Sequence, residues 1–410
     1  MSPSTVEILA TVCFSLAVLH TFVCSKIKAL GPRFHILGEV ELVFGLWALI
    51  FLVGYFAVLG AHETIYFVES QSFSEPIFVF AIMAMAATAP VLYLANQLIL
   101  SIARLIPSSA EWKVFFAILS IGPLLGSLIT EPAAMTVTAL LLKQRYYDRH
   151  PSEFFKYVAL AALLVNISIG GVLTNFAAPP VLMVASKWDW DLKFMLLTFG
   201  GKATIAVIAN AALATLALRK ELFALKPGQA TAFAKSPAWL IAAHLLLIAA
   251  LVYFGHNPIL FLGIFIVFFG VVAATRNFQS KLRLRESFFV GIFLAGLVVL
   301  GSLQQWWLES ILLSLTDFEV YFSAAALTAI TDNAALTYLG SQISDISDSF
   351  KYFLVAGAVA GGGLTVIANA PNPAGFAILQ GSFGVSGIKP TKLLLFALTP
   401  TLIALLCFYF

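Results

Sequence analysis

The sequence predicts an all-α polytopic membrane protein with about ten transmembrane helices and two re-entrant helical hairpins, arranged as two repeats of inverted topology. The first supporting observation is composition: 61% of the 410 residues are hydrophobic and 10% are charged, whereas about 25% are charged in a soluble domain. The second is a series of apolar runs of about 20 residues, each long enough to cross a bilayer. The third is an acidic octapeptide that occurs twice.

The repeated octapeptide carries a carboxylate within an apolar segment. Its copies are ITEPAAMT at 129–136 and ITDNAALT at 330–337, identical at five of eight positions. Glu131 and Asp332 occupy the acidic position. Ala- and Thr-rich membrane helices also resemble one another by chance, but this match is centred on a residue class that is rare inside membranes. We therefore interpret the two copies as halves of one buried ion site.

The first repeat is predicted to cover residues 1–218. Its hairpin arms are too short to cross the bilayer twice, which favours re-entry with Glu131 at the tip. Pro132 suits the first turn of the returning helix. The segment that follows is interrupted at Gly170-Gly171 and at Thr174-Asn175, and a helix broken at membrane depth is tolerated where it lines a cavity. The predicted elements are spans at about 6–25, 39–61 and 76–104, a hairpin at 113–142, a broken helix at 156–186 and a span at 194–218.

The second repeat is predicted to cover residues 237–410, after a basic cytoplasmic linker at 219–236 that contains Pro227-Gly228. It has the same order of elements, with Asp332 at the tip of its hairpin. These elements are spans at about 237–254, 257–275 and 287–304, a hairpin at 318–345, a broken helix at 351–380 and a span at 391–410.

Basic residues predict the orientation. With the N-terminus outside, 19 of the 23 Lys and Arg residues fall in loops on the cytoplasmic side, as the positive-inside rule requires. Five spans before the linker invert the second repeat relative to the first. The two hairpins then enter from opposite sides, and their tips meet near the midplane.

The acidic tips predict a site for Na⁺ at Glu131 and Asp332. A carboxylate at bilayer depth costs roughly 2.5–3.5 kcal/mol and normally faces a cavity. Burial and mutual repulsion favour protonation of at least one acid, so a proton and a cation compete for the same oxygens. Neutral oxygens of the kind that hard cations bind are available on Thr130, Thr136, Thr174, Asn175, Thr331, Asn333, Thr337 and Asn369.

These neutral residues also have structural interpretations. A membrane threonine can bond to a carbonyl one turn earlier, and an asparagine can cap a broken helix end. Lys202 is the only cation within a predicted span. It is a candidate partner of Glu131 or Asp332, or a contact for an anionic substrate, unless it extends to the membrane surface.

The order of three spans, hairpin, broken helix and span, used twice in inverted sense, resembles the ion transporter superfamily. That group includes NhaD-type Na⁺/H⁺ antiporters, arsenite-efflux proteins and divalent-anion/Na⁺ symporters. Asp332-Asn333 resembles the Asp-Asn pair of the NhaD-like and arsenite-type members, and residues 370–373 resemble the Pro-Pro-Asn stretch of the symporters. The acidic tips depart from the symporters' Ser-Asn-Thr motif and are most similar to NhaE-like Na⁺/H⁺ antiporters. The resemblance implies a homodimer with a fixed scaffold and a moving, elevator-like transport part.

We therefore expect a secondary transporter of the bacterial inner membrane that exchanges Na⁺ or Li⁺ for H⁺. Its partners are an inorganic cation and the lipid bilayer, with no resident cofactor and no nucleic acid. One alternative is a Na⁺-coupled carrier of dicarboxylates or other anions, in which Lys202 contacts the anion. A membrane enzyme is a weaker alternative, because no nucleophile with a base and no metal-ligand spacing accompanies the acids.

Overall fold

The computed structural model describes residues 3–108, 111–225, 233–384 and 387–410. The chain is 78% helical, with no strand in these ranges. The α-helices of the described residues are α1 (Thr5–Ala29), α2 (Val40–Glu69), α3 (Ser74–Ala86), α4 (Ala89–Leu105), α5 (Trp112–Ile129), α6 (Glu131–Arg145), α7 (Glu153–Gly170), α8 (Pro179–Ala185), α9 (Leu192–Met195), α10 (Gly201–Ala217), α11 (Arg219–Ala224), α12 (Ala238–Tyr253), α13 (Pro258–Ala274), α14 (Leu284–Gly301), α15 (Gln305–Leu312), α16 (Asp317–Thr328), α17 (Asn333–Ser341), α18 (Asp348–Gly361), α19 (Asn372–Leu379) and α20 (Pro390–Tyr409).

The predicted fold class, an all-α polytopic membrane protein, is confirmed. Within the described ranges seven helical segments are long and apolar enough to cross a bilayer: Thr5–Cys24, Val40–Glu69, Trp112–Ile129, Glu153–Gly170, Leu192–Ala217, Leu284–Gly301 and Pro390–Tyr409. The α3–α4 pair makes an eighth if it is one span, and α12 and α13 are shorter apolar helices. The segment at 192–217 is continuous because a π-helix, Leu196–Gly200, joins α9 to α10.

Two predicted spans have a different shape in the structure. The span at 76–104 is bent by 68° between α3 and α4, where Pro90 lies in the first turn of α4 and cannot donate a backbone hydrogen bond to the turn before it. The span at 39–61 continues to Glu69 through a kink at Gly60, whose φ of 84° is accessible to glycine at little cost.

The two broken helices begin in the same way and form the centre of the protein. Ser152 caps α7 by accepting a hydrogen bond from the Phe155 amide, and Ser347 caps α18 by accepting one from the Phe350 amide. Every residue from 159 to 170 and from 354 to 364 is buried. The helices meet where Ser168 Oγ donates a 2.7 Å hydrogen bond to the Val359 carbonyl oxygen.

Helices α5 and α6 form an antiparallel hairpin. Their pairing follows from close contacts of Gly122 with Thr138 and of Gly126 with Ala134. The arms of 18 and 15 residues are about 27 and 22 Å long at 1.5 Å per residue, longer than the predicted arms. Since α5 is long enough to span a membrane, its length does not distinguish re-entry from crossing. Re-entry of both hairpins and the inversion of the second repeat stay predictions.

Helix α16 ends just before the second octapeptide and α17 begins within it, at Asn333. Helix α16 packs against α18 as α5 packs against α7. Helix α5 runs parallel to α7, with Leu119 beside Asn166 and Ser127 beside Gly170. Helix α16 runs parallel to α18, with Tyr321 beside Gly357 and Ala325 beside Gly361. In the predicted linker, α11 covers 219–224, and residues 226–232, with Pro227-Gly228, lie outside the described residues.

Candidate cation-binding site

The first tip, residues 129–131, reverses the chain between α5 and α6. Thr130 is buried and has φ 69° and ψ 150°, which is strained for a β-branched residue. Pro132 follows in the first turn of α6, where a missing N–H leaves no bond unmade. Glu131 is consequently the first residue of α6, and the positive end of the helix dipole favours an anionic group there.

Glu131 is fully buried, and only one of its carboxylate oxygens is paired. Its Oε2 accepts a 2.8 Å hydrogen bond from Asn369 Nδ2, while Oε1 has no hydrogen-bond partner among the described residues. The carboxylate lies against Gly171, where an added Cβ would be 2.4 Å from Oε1. The Glu131 amide points to the Ala177 carbonyl oxygen at 3.5 Å. Glu131 is thus packed against the first break, residues 171–178, between α7 and α8.

The second tip, residues 329–333, presents Asp332 and Asn333 differently. Asp332 caps α17, since its Oδ1 accepts a 2.8 Å hydrogen bond from the Ala334 amide, and it is only partly buried. Asn333 is fully buried. Its backbone N–H donates a 3.0 Å hydrogen bond to the Ala368 carbonyl oxygen. Ala368 lies in the second break, residues 362–371, between α18 and α19.

In the structure, the two tips correspond with an offset of one residue relative to the alignment of the octapeptides. Glu131 is the first residue of α6 and lies beside Gly171, whereas Asn333 is the first residue of α17 and lies beside Gly362. Asp332 therefore corresponds in position to Thr130, the cap of α6. The expectation that the two acids occupy equivalent places is corrected, because each helix begins at a different residue of its octapeptide.

Several oxygens around the tips and the second break are buried and have no hydrogen-bond partner in the described parts of the chain. Nearly all buried polar groups in proteins are paired, so this accumulation indicates a group that the protein alone does not supply. Carboxylate and neutral oxygens are the ligands that hard cations bind. The residues present therefore fit a small cation. The unpartnered atoms are Thr130 Oγ1, Glu131 Oε1, Asn333 Oδ1, Asn369 Oδ1 and Asn372 Oδ1.

A small cavity connects Asp332 to Asn369. Its volume is about 30 Å³, and Asp332, Asn369 and Glu41 border it, although its surface is almost entirely apolar. The space is large enough for an ordered water. Asn369 borders this cavity and also bonds Glu131, so it links the two predicted acidic residues without a direct contact between them.

Asn175 is directed elsewhere. It lines an open cleft of about 600 Å³ between α3, α8 and α12, together with Glu75, Asp189 and Asp191. In the predicted orientation this cleft opens to the outside. Asn175 therefore lies between the external surface and the first break, and no hydrogen bond joins it to the acids among the described residues.

Most of the predicted threonines bond within their own elements. Thr136 donates to the Pro132 carbonyl oxygen and accepts from Arg283 Nη1, and Thr337 and Thr331 donate to carbonyls one turn earlier, as expected for back-bonding. Thr174 Oγ1 donates a 2.7 Å hydrogen bond to the Ser127 carbonyl oxygen and so fixes the first break. Thr130 is the exception, because its hydroxyl is unpartnered.

Lys202 does not pair with Glu131 or Asp332. Its ammonium donates hydrogen bonds to Tyr352 Oη at 2.9 Å and to the Phe408 carbonyl oxygen at 3.2 Å, and it lies 4.8 Å from the centre of the Tyr352 ring. The carbonyl groups at the end of α20 lack helical partners and attract a cation. The predicted charge pairing is therefore corrected in favour of a structural contact.

Sequence reasoning missed Ser168, Asn372 and Arg283. Asn372 Nδ2 donates to the Gly362 and Thr365 carbonyl oxygens, and Ser168 Oγ accepts a long 3.5 Å contact from Asn333 Nδ2. A polar residue within an apolar run was the available signal for Ser168. Arg283 had no such signal, because the sequence places it among the basic residues of a cytoplasmic loop.

Comparison with known proteins assigns the chain to a family. No curated protein matches the chain. The crystal structure of the YdaH transporter of Alcanivorax borkumensis aligns with 98% of this chain and 96% of its own, at 15% identity and a TM-score of 0.47. A family model described as "Putative Na+/H+ antiporter" matches residues 5–410. Because that match extends over nearly the whole sequence, the chain belongs to this antiporter family.

Proposed function

We propose that the protein is a Na⁺(Li⁺)/H⁺ antiporter of the bacterial inner membrane in which Glu131 and Asp332 bind the cation and protons alternately. The observation that carries this proposal is Glu131, a fully buried carboxylate with one oxygen held by Asn369 and the other unpartnered. An uncompensated buried charge costs several kcal/mol. A proton or a metal cation must therefore accompany this carboxylate while it stays buried.

Competition for the carboxylate produces the exchange. The ionised Glu131, with the free oxygens of Thr130 and Asn369, offers a hard cation an anionic ligand and two neutral ones. Protonation neutralises the carboxylate and removes the main attraction for the cation. Asp332, facing the small cavity beside Asn369, is the second exchangeable carboxylate.

In this mechanism, access to the site from the two sides of the membrane depends on the two breaks. In each tip a backbone N–H donates a hydrogen bond to a carbonyl oxygen of a break. The Glu131 N–H donates to Ala177, and the Asn333 N–H donates to Ala368. A tip and its break therefore move together, consistent with the elevator-like movement that the superfamily resemblance implies. The homodimer and the inverted repeats belong to the same proposal.

Neutral variants of the two acids test the function. Glu131→Gln and Asp332→Asn should each abolish Na⁺-triggered proton movement in proteoliposomes that contain a lumenal pH dye, while both purified proteins stay monodisperse. The matched control is Glu63→Gln, which neutralises an exposed carboxylate and should exchange like the wild type. Undiminished exchange in both acidic-tip variants would refute the mechanism.

The same vesicles distinguish the anion-carrier alternative. An antiporter moves protons when Na⁺ or Li⁺ is added alone, whereas a Na⁺-coupled carrier requires an anion such as succinate. Lys202, the expected anion contact, bonds Tyr352 and Phe408 instead. We therefore expect no requirement for succinate.

A further inference from the structure

His20, near the cytoplasmic end of α1 in the predicted orientation, is held at both of its ring nitrogens. Its Nε2 lies 2.8 Å from the Leu37 carbonyl oxygen, and its Nδ1 lies 3.2 Å from Trp47 Nε1. A carbonyl oxygen can only accept a hydrogen bond, and an indole N–H can only donate one. Nε2 therefore carries the hydrogen and Nδ1 accepts, so these contacts require a neutral imidazole. We call residues 20, 37 and 47 the histidine clasp.

The clasp joins α1 and α2 to the loop between them, residues 30–39. Leu37 belongs to this loop, and its carbonyl oxygen also lies 3.9 Å from Cys24 Sγ on α1. The next residue, Gly38, packs closely on α1, because an added Cβ would lie 2.8 Å from Lys28 Cβ. The clasp therefore fixes the cytoplasmic end of α1 to the loop and, through Trp47, to α2.

A proton on His20 Nδ1 is incompatible with the clasp. The imidazolium has a hydrogen on each ring nitrogen, so the Nδ1–H would point at the N–H of Trp47 and neither could accept. The contact with Trp47 must then break, whereas the one with Leu37 can persist. Histidine is the side chain that changes charge between about pH 5 and pH 8. Both rings are partly exposed, so a proton can reach His20 without unfolding of the helices.

No charged neighbour replaces the lost contact. Glu39 is already bonded by Lys28 at 2.9 Å and by Arg285 at 3.0 Å. Among the described residues, no carboxylate has a hydrogen bond or ion pair with the imidazole of His20, so protonation gains no partner of opposite charge. The titratable and charged groups around the clasp are Cys24, Lys26 and Lys28 on α1, Arg33, His35 and Glu39 in the loop, Glu41 on α2 and Arg285 in the first turn of α14.

His244 shows why the indole matters. Its Nδ1 lies 2.9 Å from the Leu240 carbonyl oxygen, and its Nε2 lies 3.2 Å from Gln279 Nε2. A carboxamide can turn over and present its oxygen to a protonated ring, which an indole cannot do. His244 is also fully buried. We therefore expect a response to pH from His20 and not from His244.

A bonded path leads from the clasp to the first hairpin. Glu39, two residues after Leu37, bonds Arg285. Two residues before Arg285, the Arg283 side chain donates a 3.2 Å hydrogen bond to Thr136 Oγ1 on α6. Helix α6 is the returning arm of the hairpin and begins at the buried carboxylate. Release of the clasp therefore loosens the attachment of this arm to α1 and α2.

We propose that His20 is a proton-binding site, separate from the acidic tips, whose protonation opens the clasp and slows exchange. In the predicted orientation the clasp faces the cytoplasm, so it responds to cytoplasmic pH. Loss of one ordinary hydrogen bond shifts the equilibrium between closed and open clasp by about fivefold. The effect on exchange rests on the proposed antiport, whereas proton binding at His20 does not.

The indole N–H resonance of Trp47 tests the clasp directly. In protein labelled with ¹⁵N-tryptophan it is the signal that Trp47→Phe lacks. In the wild type this signal should shift between about pH 8 and pH 5 as the bond to His20 is lost, and in His20→Gln it should stay constant. His62→Gln, which removes an exposed imidazole, is the control and should shift like the wild type. A Trp47 signal that ignores pH, or moves equally in His20→Gln, would overturn the proposal.

Exchange in proteoliposomes tests the regulatory part. Acidification from about pH 8 to pH 6 should slow wild-type exchange about fivefold more than exchange by His20→Gln, because only the wild-type clasp opens. Equal slowing in the two proteins would refute the regulatory role. A wild-type protein that moves no protons in response to Na⁺ or Li⁺ refutes the antiporter and the effect on exchange, whereas the Trp47 resonance still decides whether His20 binds a proton.

Discussion

Asn369 Nδ2 and Glu131 Oε2 are 2.8 Å apart, a hydrogen bond that joins residues 238 positions apart in the chain. It connects the second break to the first tip at the buried carboxylate. The same asparagine borders the cavity of Asp332. Asn369 therefore contacts Glu131 and borders the same cavity as Asp332.

Removing the side-chain amide of Asn369 should shift the pH dependence of exchange. In Asn369→Ala the ionised Glu131 loses the one donor that bonds its carboxylate within the described ranges, a contribution of about 1.5–3 kcal/mol for a bond to a charged group. The protonated form is then favoured, so the rising limb of exchange should move about one to two pH units toward alkaline values. Asn257→Ala, which removes an exposed cap of α13, serves as control. An unchanged profile would mean that the bond does not act on the exchanging carboxylate.

Replacing Thr130 by glycine should separate strain from ligation. Glycine adopts the φ of 69° at this position without the cost of about 1–2 kcal/mol that a side chain incurs. The melting temperature of Thr130→Gly should therefore equal or exceed that of the wild type, while the loss of the unpartnered hydroxyl weakens Na⁺ binding.

Thr331→Gly is the matched control, since Thr331 stands one residue before the acid in the other octapeptide but has no positive φ. This variant should melt at a lower temperature than the wild type and keep its Na⁺ affinity. Equal destabilisation in both variants would contradict the assignment of strain to Thr130.

Lys202→Met should retain Na⁺/H⁺ exchange and lose stability. The ammonium bonds Tyr352 and the Phe408 carbonyl oxygen, away from Glu131 and Asp332. Tyr352→Phe removes the same contact from the other side and should lower the melting temperature in parallel. A stable Lys202→Met protein that no longer exchanges Na⁺ would restore Lys202 as a partner of the acids.

The open end of the first hairpin contains a buried ion pair that should matter for folding. Arg145 Nη1 lies 3.1 Å from Glu111 Oε2, and both side chains are largely buried. Arg145→Met leaves the Glu111 carboxylate without this cation, which in comparable pairs costs about 3–5 kcal/mol. Lys143→Met, which breaks an exposed pair with Asp148, should cost less than about 1 kcal/mol. Thermal unfolding in detergent measures both, and similar values would contradict the difference in burial.

Hydrophobic run length and the repeated octapeptide were sufficient to predict an all-helical membrane protein and the buried environment of Glu131. They were insufficient for features that depend on packing between distant segments. The alignment of Glu131 with Asn333 is set by which residue touches Gly171 or Gly362, and an octapeptide alone does not contain that information. Sequence alignment followed the acidic residues because charge was the most distinctive shared property.

The position of Lys202 illustrates the same limit. Its place in the interior of an apolar run predicted a partner of the acids or a contact for an anion. Side-chain direction on a membrane helix depends on the neighbouring helices, and these come from remote parts of the sequence. Asn369 was predicted as a ligand, but its bond to Glu131 required the meeting of the second break with the first tip.

In the proposed mechanism, in which the two tips serve opposite faces of the membrane, the one-residue offset between them makes the carrier asymmetric. An ion reaching Glu131 meets a fully enclosed carboxylate at the start of a helix, whereas an ion reaching Asp332 meets a helix cap beside a cavity. Loading from one face of the membrane and loading from the other are then chemically different reactions. The equilibrium of a passive exchanger cannot depend on such a difference, but its rates can. Half-saturating Na⁺ should therefore differ between the two faces, and the protein should behave kinetically as a rectifier.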